Sequence, residues 1–119
     1  MSAAREYNLE NSEAQMRKGT LELAVLLLIS KKAAYATDIL ESLKENKIIT
    51  VEGTLYPLLN RLEKTGVLSY SWKESAAGPP RKYYVLTKTG REILEELVDS
   101  WKKFNRQLVS IIKKHEKSS

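Results

Sequence analysis

Six apolar residues near the end of the chain, Leu94, Leu97, Trp101, Phe104, Leu108 and Ile111, recur at alternating intervals of three and four. That is the heptad rhythm of a helix that packs along one seam against another helix. A helix over residues 89–114, at about 1.5 Å per residue, reaches about 39 Å. The rest of a 119-residue chain makes one modest domain, too small to cover so long an apolar stripe. The simplest way to bury it is against the same helix of a second copy, so a homodimer is expected, with these six residues at its interface. The alternative is a helix that folds back on its own domain. Residues 113–119 read as a basic, frayed tail.

A second helix is written into residues 50–66, T-V-E-G-T-L-Y-P-L-L-N-R-L-E-K-T-G. Leu55, Leu58, Leu59 and Leu62 form a single apolar stripe. Thr50 is placed to cap its start, Glu52 suits the positive end of the helix dipole, and Gly66 suits a left-handed stop. Pro57 removes one backbone donor and crowds the carbonyl of Gly53, which predicts a bend or a helix regular only from Pro57 onward. The opposite face carries Thr54, Tyr56, Asn60, Arg61 and Lys64. These side chains hydrogen-bond, stack or carry positive charge, as a major-groove surface requires. A solvated helix face has the same composition, and both readings stand at this level.

The elements around this helix give it a context. A helix is expected from about Glu13, interrupted or re-capped at Gly19 and Thr20. Residues 21–29 are apolar on nearly every side, as in a helix buried all round. Tyr35 opens another helix, with Thr37 or Asp38 near its start, Ile39, Leu40 and Leu43 on its buried side and Asn46 near its end. Helix, short turn, helix with a polar outer face is the helix-turn-helix order. Residues 67–73 and 81–86 are rich in aromatic and β-branched side chains around an A-A-G-P-P turn at 76–80, which predicts a β-hairpin. A hairpin directly after such a helix is a wing, with Lys73, Arg81 and Lys82 gathered at its tip and Trp72 expected to pack. Thr89 and Glu92 have capping-box spacing before the last helix, with Thr87 as the other candidate cap. The expected fold is mainly α with a β-hairpin (α+β), a winged helix-turn-helix with a long C-terminal dimerisation helix. Residues 1–12 form a mobile arm, 13–88 the DNA-binding domain and 89–115 the dimerisation helix.

Composition narrows the chemistry. With no cysteine, thiolate metal sites and cysteine nucleophiles are ruled out, and the one histidine, His115, stands near the C-terminus. No metal cluster, nucleophile–base pair or phosphate loop is found, so neither an enzyme nor a cofactor is expected. The net charge of +5 favours an anionic partner. Between residues 51 and 90 six basic residues face three acidic ones. There is no apolar signal segment, and the run at 21–29 is too short to span a bilayer, so a cytoplasmic protein without membrane contact is expected.

Three stretches, R-K-G-T-L-E-L at 17–23, the string at 52–66 and G-P-P-R-K-Y-Y-V-L-T-K-T-G at 78–90, resemble the PadR-like transcriptional regulators. The likeness covers about residues 14–112. It implies a dimeric winged helix-turn-helix that binds double-stranded operator DNA, usually as a repressor. The single C-terminal helix is similar to the small LmrR-type subgroup of multidrug sensors, which implies a flat aromatic effector stacked on Trp101 at the dimer interface, with Leu21, Ala24, Leu97, Val98 and Asn105 lining the pocket. Trp101 as plain dimer core is the competing reading. From residue chemistry and resemblance together, Thr54, Tyr56, Asn60 and Arg61 form the major-groove set, and Tyr35, Lys64, Arg81 and Lys82 hold phosphates. The chain departs from the family's frequent Tyr-Gly-Tyr at Tyr35-Ala36-Thr37, and Pro79-Pro80 is expected to stiffen the wing turn. A winged-helix protein-interaction module without DNA binding is the alternative from another class.

Overall fold

The computed structural model describes residues 6–48 and 50–118. The first helix, α1, runs from Leu9 to Lys31. The Asn8 side chain accepts from the backbone N–H of Asn11 at 3.0 Å and starts it, so helix begins inside the stretch expected to be a mobile arm. Residues 1–5 of that arm lie outside the described residues. Gly19 and Thr20 do not interrupt α1. Thr20 donates its hydroxyl to the Arg17 carbonyl at 2.9 Å, which satisfies it within the helix. Leu21, Val25, Leu26 and Ile29 are buried, but Leu27 is exposed, so α1 is covered on part of its circumference and not all round.

The second helix, α2, spans Ala36–Glu45. Asp38 reaches back to accept from the Tyr35 backbone N–H at 3.2 Å. Asn46 is its C-cap, and the left-handed residue is the next one, Lys47, at φ 63°. Ile48 donates to the Leu43 carbonyl and Lys47 to that of Lys44, the paired bonds of a Schellman ending. The third helix, α3 (Glu52–Lys64), ends in the same way. Gly66, at φ 80°, follows the C-cap Thr65, and Val67 donates to the Leu62 carbonyl. Its N-cap is Val51, not Thr50, and it runs unbroken through Pro57. Gly53 is exposed and four residues before the proline, where the crowded carbonyl has no Cβ beside it.

Strands β1 (Leu68–Ser75) and β2 (Gly78–Leu86) pair antiparallel from Leu68↔Leu86 to Ser75↔Gly78. The turn is only Ala76-Ala77. Pro79 and Pro80, expected in the turn, lie in β2, opposite the single residue Glu74, where the register shifts. Proline is tolerated at such a bulge because no ladder donor is needed there. The segment before α2 adds a bridge on the other side of β2, with Ala34 and Tyr84 exchanging backbone bonds of 3.1 and 2.8 Å. That bridge ties the wing to the start of the helix-turn-helix.

The last helix, α4, spans Lys88–Ser118. Thr87 is its cap: its hydroxyl oxygen accepts from the Gly90 N–H at 2.9 Å. Leu94 is only 8% exposed and joins the core built by α1, α2, α3 and the hairpin, so it belongs to its own domain and not to a partner. Every residue from 101 to 117 is exposed, and the molecule is 59 Å in its longest extent. The far half of α4 therefore stands clear of the domain instead of folding back. Among the described residues no helix is long and apolar enough to cross a membrane.

Candidate nucleic-acid interface

The apolar stripe of α3 fixes its orientation. Leu55, Leu59 and Leu62 are buried and Leu58 is half-buried, so Thr54, Tyr56, Asn60, Arg61 and Lys64 all face outward. They do not face outward equally. The Arg61 guanidinium is turned along the helix onto α1, where it donates to the Glu22 carboxylate. Asn60 and Lys64 occupy the open face. Thr54 lies at the mouth of a hollow of about 330 Å³ that also takes in Arg17 and Lys18 of α1.

The wing stands beside α3 and is joined to it by charge. Lys82 is 3.2 Å from the Glu63 carboxylate, and its ammonium also lies 4.3 Å from the centre of the Tyr70 ring. Tyr84, buried beneath, has its hydroxyl within reach of the same Glu63 charge. Burial, and then that negative charge, push its hydroxyl up to about 12. Lys82 is thus a half-buried latch between wing and helix, with less charge available for a phosphate than an open lysine would have. On the other face of the hairpin, Lys73 sits 4.1 Å from the centre of the Tyr83 ring, and Tyr83 meets Tyr35 edge-on at 5.1 Å. Arg81 lies 4.2 Å over Tyr35. No carboxylate pairs with Arg81 among the described residues.

These contacts bring four of the expected DNA residues, Tyr35, Tyr56, Arg81 and Lys82, around one hollow of about 260 Å³ between α2, α3 and the wing. Trp72 lines it as well. At 60% exposed it is not the packing residue expected, because the β1 face that carries Leu68 into the core runs past the end of the core by residue 72.

The ligand candidates are less closely grouped. Leu21 is buried in the core of its own domain, Ala24, Leu97 and Val98 are half-buried against it, and Trp101 and Asn105 are exposed on the free part of α4. Trp101, Phe104, Leu108 and Ile111, joined by Ile112, make an uncovered apolar stripe along that helix. Among the described residues no group of three or more His, Cys, Asp or Glu side chains could hold a metal.

Known proteins share both sequence and shape with the chain. The family described as "Transcriptional regulator PadR-like family" matches residues 25–96. A PadR-like transcription factor from Bacteroides fragilis is 54% identical, with 85% of this chain and 98% of that one aligned at a TM-score of 0.72. A PadR family regulator from Eggerthella lenta is 31% identical over 87% of this chain and 91% of its own, at a TM-score of 0.82. A PadR-like regulator from Bacillus cereus is 35% identical over 82% of this chain and 96% of its own, at 0.72.

Proposed function

The chain belongs to the PadR-like family of transcriptional regulators, DNA-binding proteins and not enzymes, and on that premise we propose that it is a cytoplasmic, homodimeric operator-binding repressor. The observation that carries this reading is the outward face of α3, where Thr54, Tyr56, Asn60 and Lys64 stand open beside a wing that presents Arg81. A helix of this kind enters the major groove, where asparagine pairs with adenine and arginine with guanine. Two copies place their α3 helices about 34 Å apart, one turn of DNA, on a near-palindromic site. The uncovered stripe from Trp101 to Ile112 supports the dimer, because water would otherwise cover these large apolar side chains.

A gel shift against increasing salt tests DNA binding. Phosphate contacts make affinity fall steeply as salt rises, whereas a protein-interaction module would leave the duplex unshifted at any salt. Leu108→Asp tests the dimer: sedimentation should show a monomer with its helical content largely intact.

The effector in this reading is a flat hydrophobic molecule held between the two α4 helices on Trp101, relieving repression. A ligand there favours one dimer arrangement and so changes the spacing of the α3 helices. The partial exposure of Trp101 beside half-buried Leu97 and Val98 supports it. Titration with a bis-benzimidazole dye should quench tryptophan emission saturably in the wild type and leave the Trp72 emission of Trp101→Ala unquenched.

A further inference from the structure

We propose that the hollow between α2, α3 and the wing seats one sugar–phosphate unit of duplex DNA, with the Trp72 indole packed on the deoxyribose and the Arg81 guanidinium on the phosphate. The proposal rests on the DNA-binding reading and deepens it by giving a role to a side chain that neither the fold nor the polar face of α3 explains.

A tryptophan that is 60% exposed on a strand has left much of its apolar surface in water. Its ring is nevertheless held in place. Tyr70 meets it edge-on at 6.0 Å, and the Lys82 ammonium lies 5.8 Å from its centre. Tyr56 of α3, also exposed, lines the same hollow from a different element. The hollow therefore offers aromatic surface from both the wing and α3. The two cations at its edge differ. Lys82 is bonded to Glu63, so its charge is largely answered inside the protein. Arg81 has no carboxylate partner among the described residues, and stacking on Tyr35 holds its guanidinium plane.

One available cation with flat apolar walls matches a group that is anionic at one end and apolar at the other. A deoxyribose phosphate has both parts. At about 260 Å³ the hollow falls below the roughly 300–1,000 Å³ of sites that enclose a drug-sized ligand. It suits one unit of a chain that continues outside it. The position agrees with this occupant, because the hollow adjoins the α3 face that enters the groove, where the backbone of the same strand must pass. Contacts of this kind set register without reading bases, so their effect should be the same on every sequence.

The test needs no operator, because backbone contacts bind any duplex at low salt. The probe is a short mixed-sequence DNA duplex. Binding should quench the emission of the wild type. In Trp72→Phe the duplex should still bind with near wild-type affinity, but the quench should vanish, leaving only Trp101 to report. Trp72→Ala should weaken binding about tenfold with an unchanged salt slope, since packing an apolar ring on a sugar carries no counterion release. Arg81→Gln should instead reduce the slope of log affinity against log salt by about 0.9 per protomer. A Trp72→Ala protein that binds as tightly as wild type, or a quench that survives in Trp72→Phe, overturns this assignment while leaving DNA binding in place. A chain that shifts no duplex even at low salt overturns both.

Discussion

The Glu63 carboxylate, on the last turn of α3, lies 3.2 Å from the Lys82 ammonium of the wing, and its negative charge also acts on the buried Tyr84 hydroxyl. One acidic side chain thus ties the recognition helix to the hairpin beside it. Glu63→Ala should destabilise the fold by about 1–3 kcal/mol, since it leaves the half-buried Lys82 ammonium without its acceptor. Lys82→Ala should cost less, about 1 kcal/mol at most, because that ammonium keeps contact with water. Urea unfolding of the two variants, side by side, checks the order.

The same site makes stability sensitive to alkali. The Tyr84 hydroxyl is pushed up to about 12, above the ordinary value of about 10. The unfolded chain therefore gives up this proton first. The stabilisation is complete below about pH 10 and is lost as pH rises toward 12. The urea midpoint should fall across that window in the wild type, and Tyr84→Phe should make the fall shallower.

Gly90 is required by contact, not by backbone angle. A Cβ there would lie 2.1 Å from the Val67 carbonyl oxygen, which also accepts the Thr87 N–H at 3.1 Å. Backbone on both sides leaves little room to yield. Gly90→Ala should cost about 1–3 kcal/mol, the usual range for overpacking. The denaturant midpoint should drop with the slope of the transition unchanged.

Two helix endings use left-handed residues, and only one is glycine. Lys47 stands at φ 63° and Gly66 at φ 80°. Lys47→Gly should stabilise the protein by about 0.5–1 kcal/mol, and Gly66→Ala should destabilise it by about 1 kcal/mol. Thermal melts of the two variants should move in opposite directions.

Arg61 is shared between α1 and the DNA face. Its pair with Glu22 is largely exposed, so Glu22→Gln should change stability by less than about 1 kcal/mol. The same change releases the guanidinium, and DNA should bind more tightly at low salt. Arg61→Ala should weaken binding, and adding Glu22→Gln to it should then have little further effect. An increase that persists in the double variant would show that Glu22 acts by its own charge and not through Arg61.

Elements set by near neighbours were legible in the sequence. The i, i+3, i+4 stripe of Leu55, Leu58, Leu59 and Leu62 placed α3 and its outward face, Gly66 marked its end, and the tyrosine- and valine-rich runs marked the hairpin. Asn8 carried a capping signal that was there to be read, and it starts α1 four residues before the expected helix. The uncovered stripe of α4 follows from its heptad, although the sequence could not say that Leu94 turns inward. That depended on how closely α4 crosses Val67, a distance the chain specifies only once Gly90 is packed against that carbonyl.

What only the tertiary structure decided is which charges remain free for a partner. Arg61, Lys82 and Arg81 look alike as letters, and each was assigned to DNA. Folding brings Glu22 from 39 positions away to Arg61 and Glu63 from 19 away to Lys82, and leaves Arg81 stacked on Tyr35 with no carboxylate partner among the described residues. Helix and strand periods come from bonds between near neighbours, so sequence alone determines them. The pairing of a surface cation is a long-range contact, and a sequence records its two halves without recording that they meet.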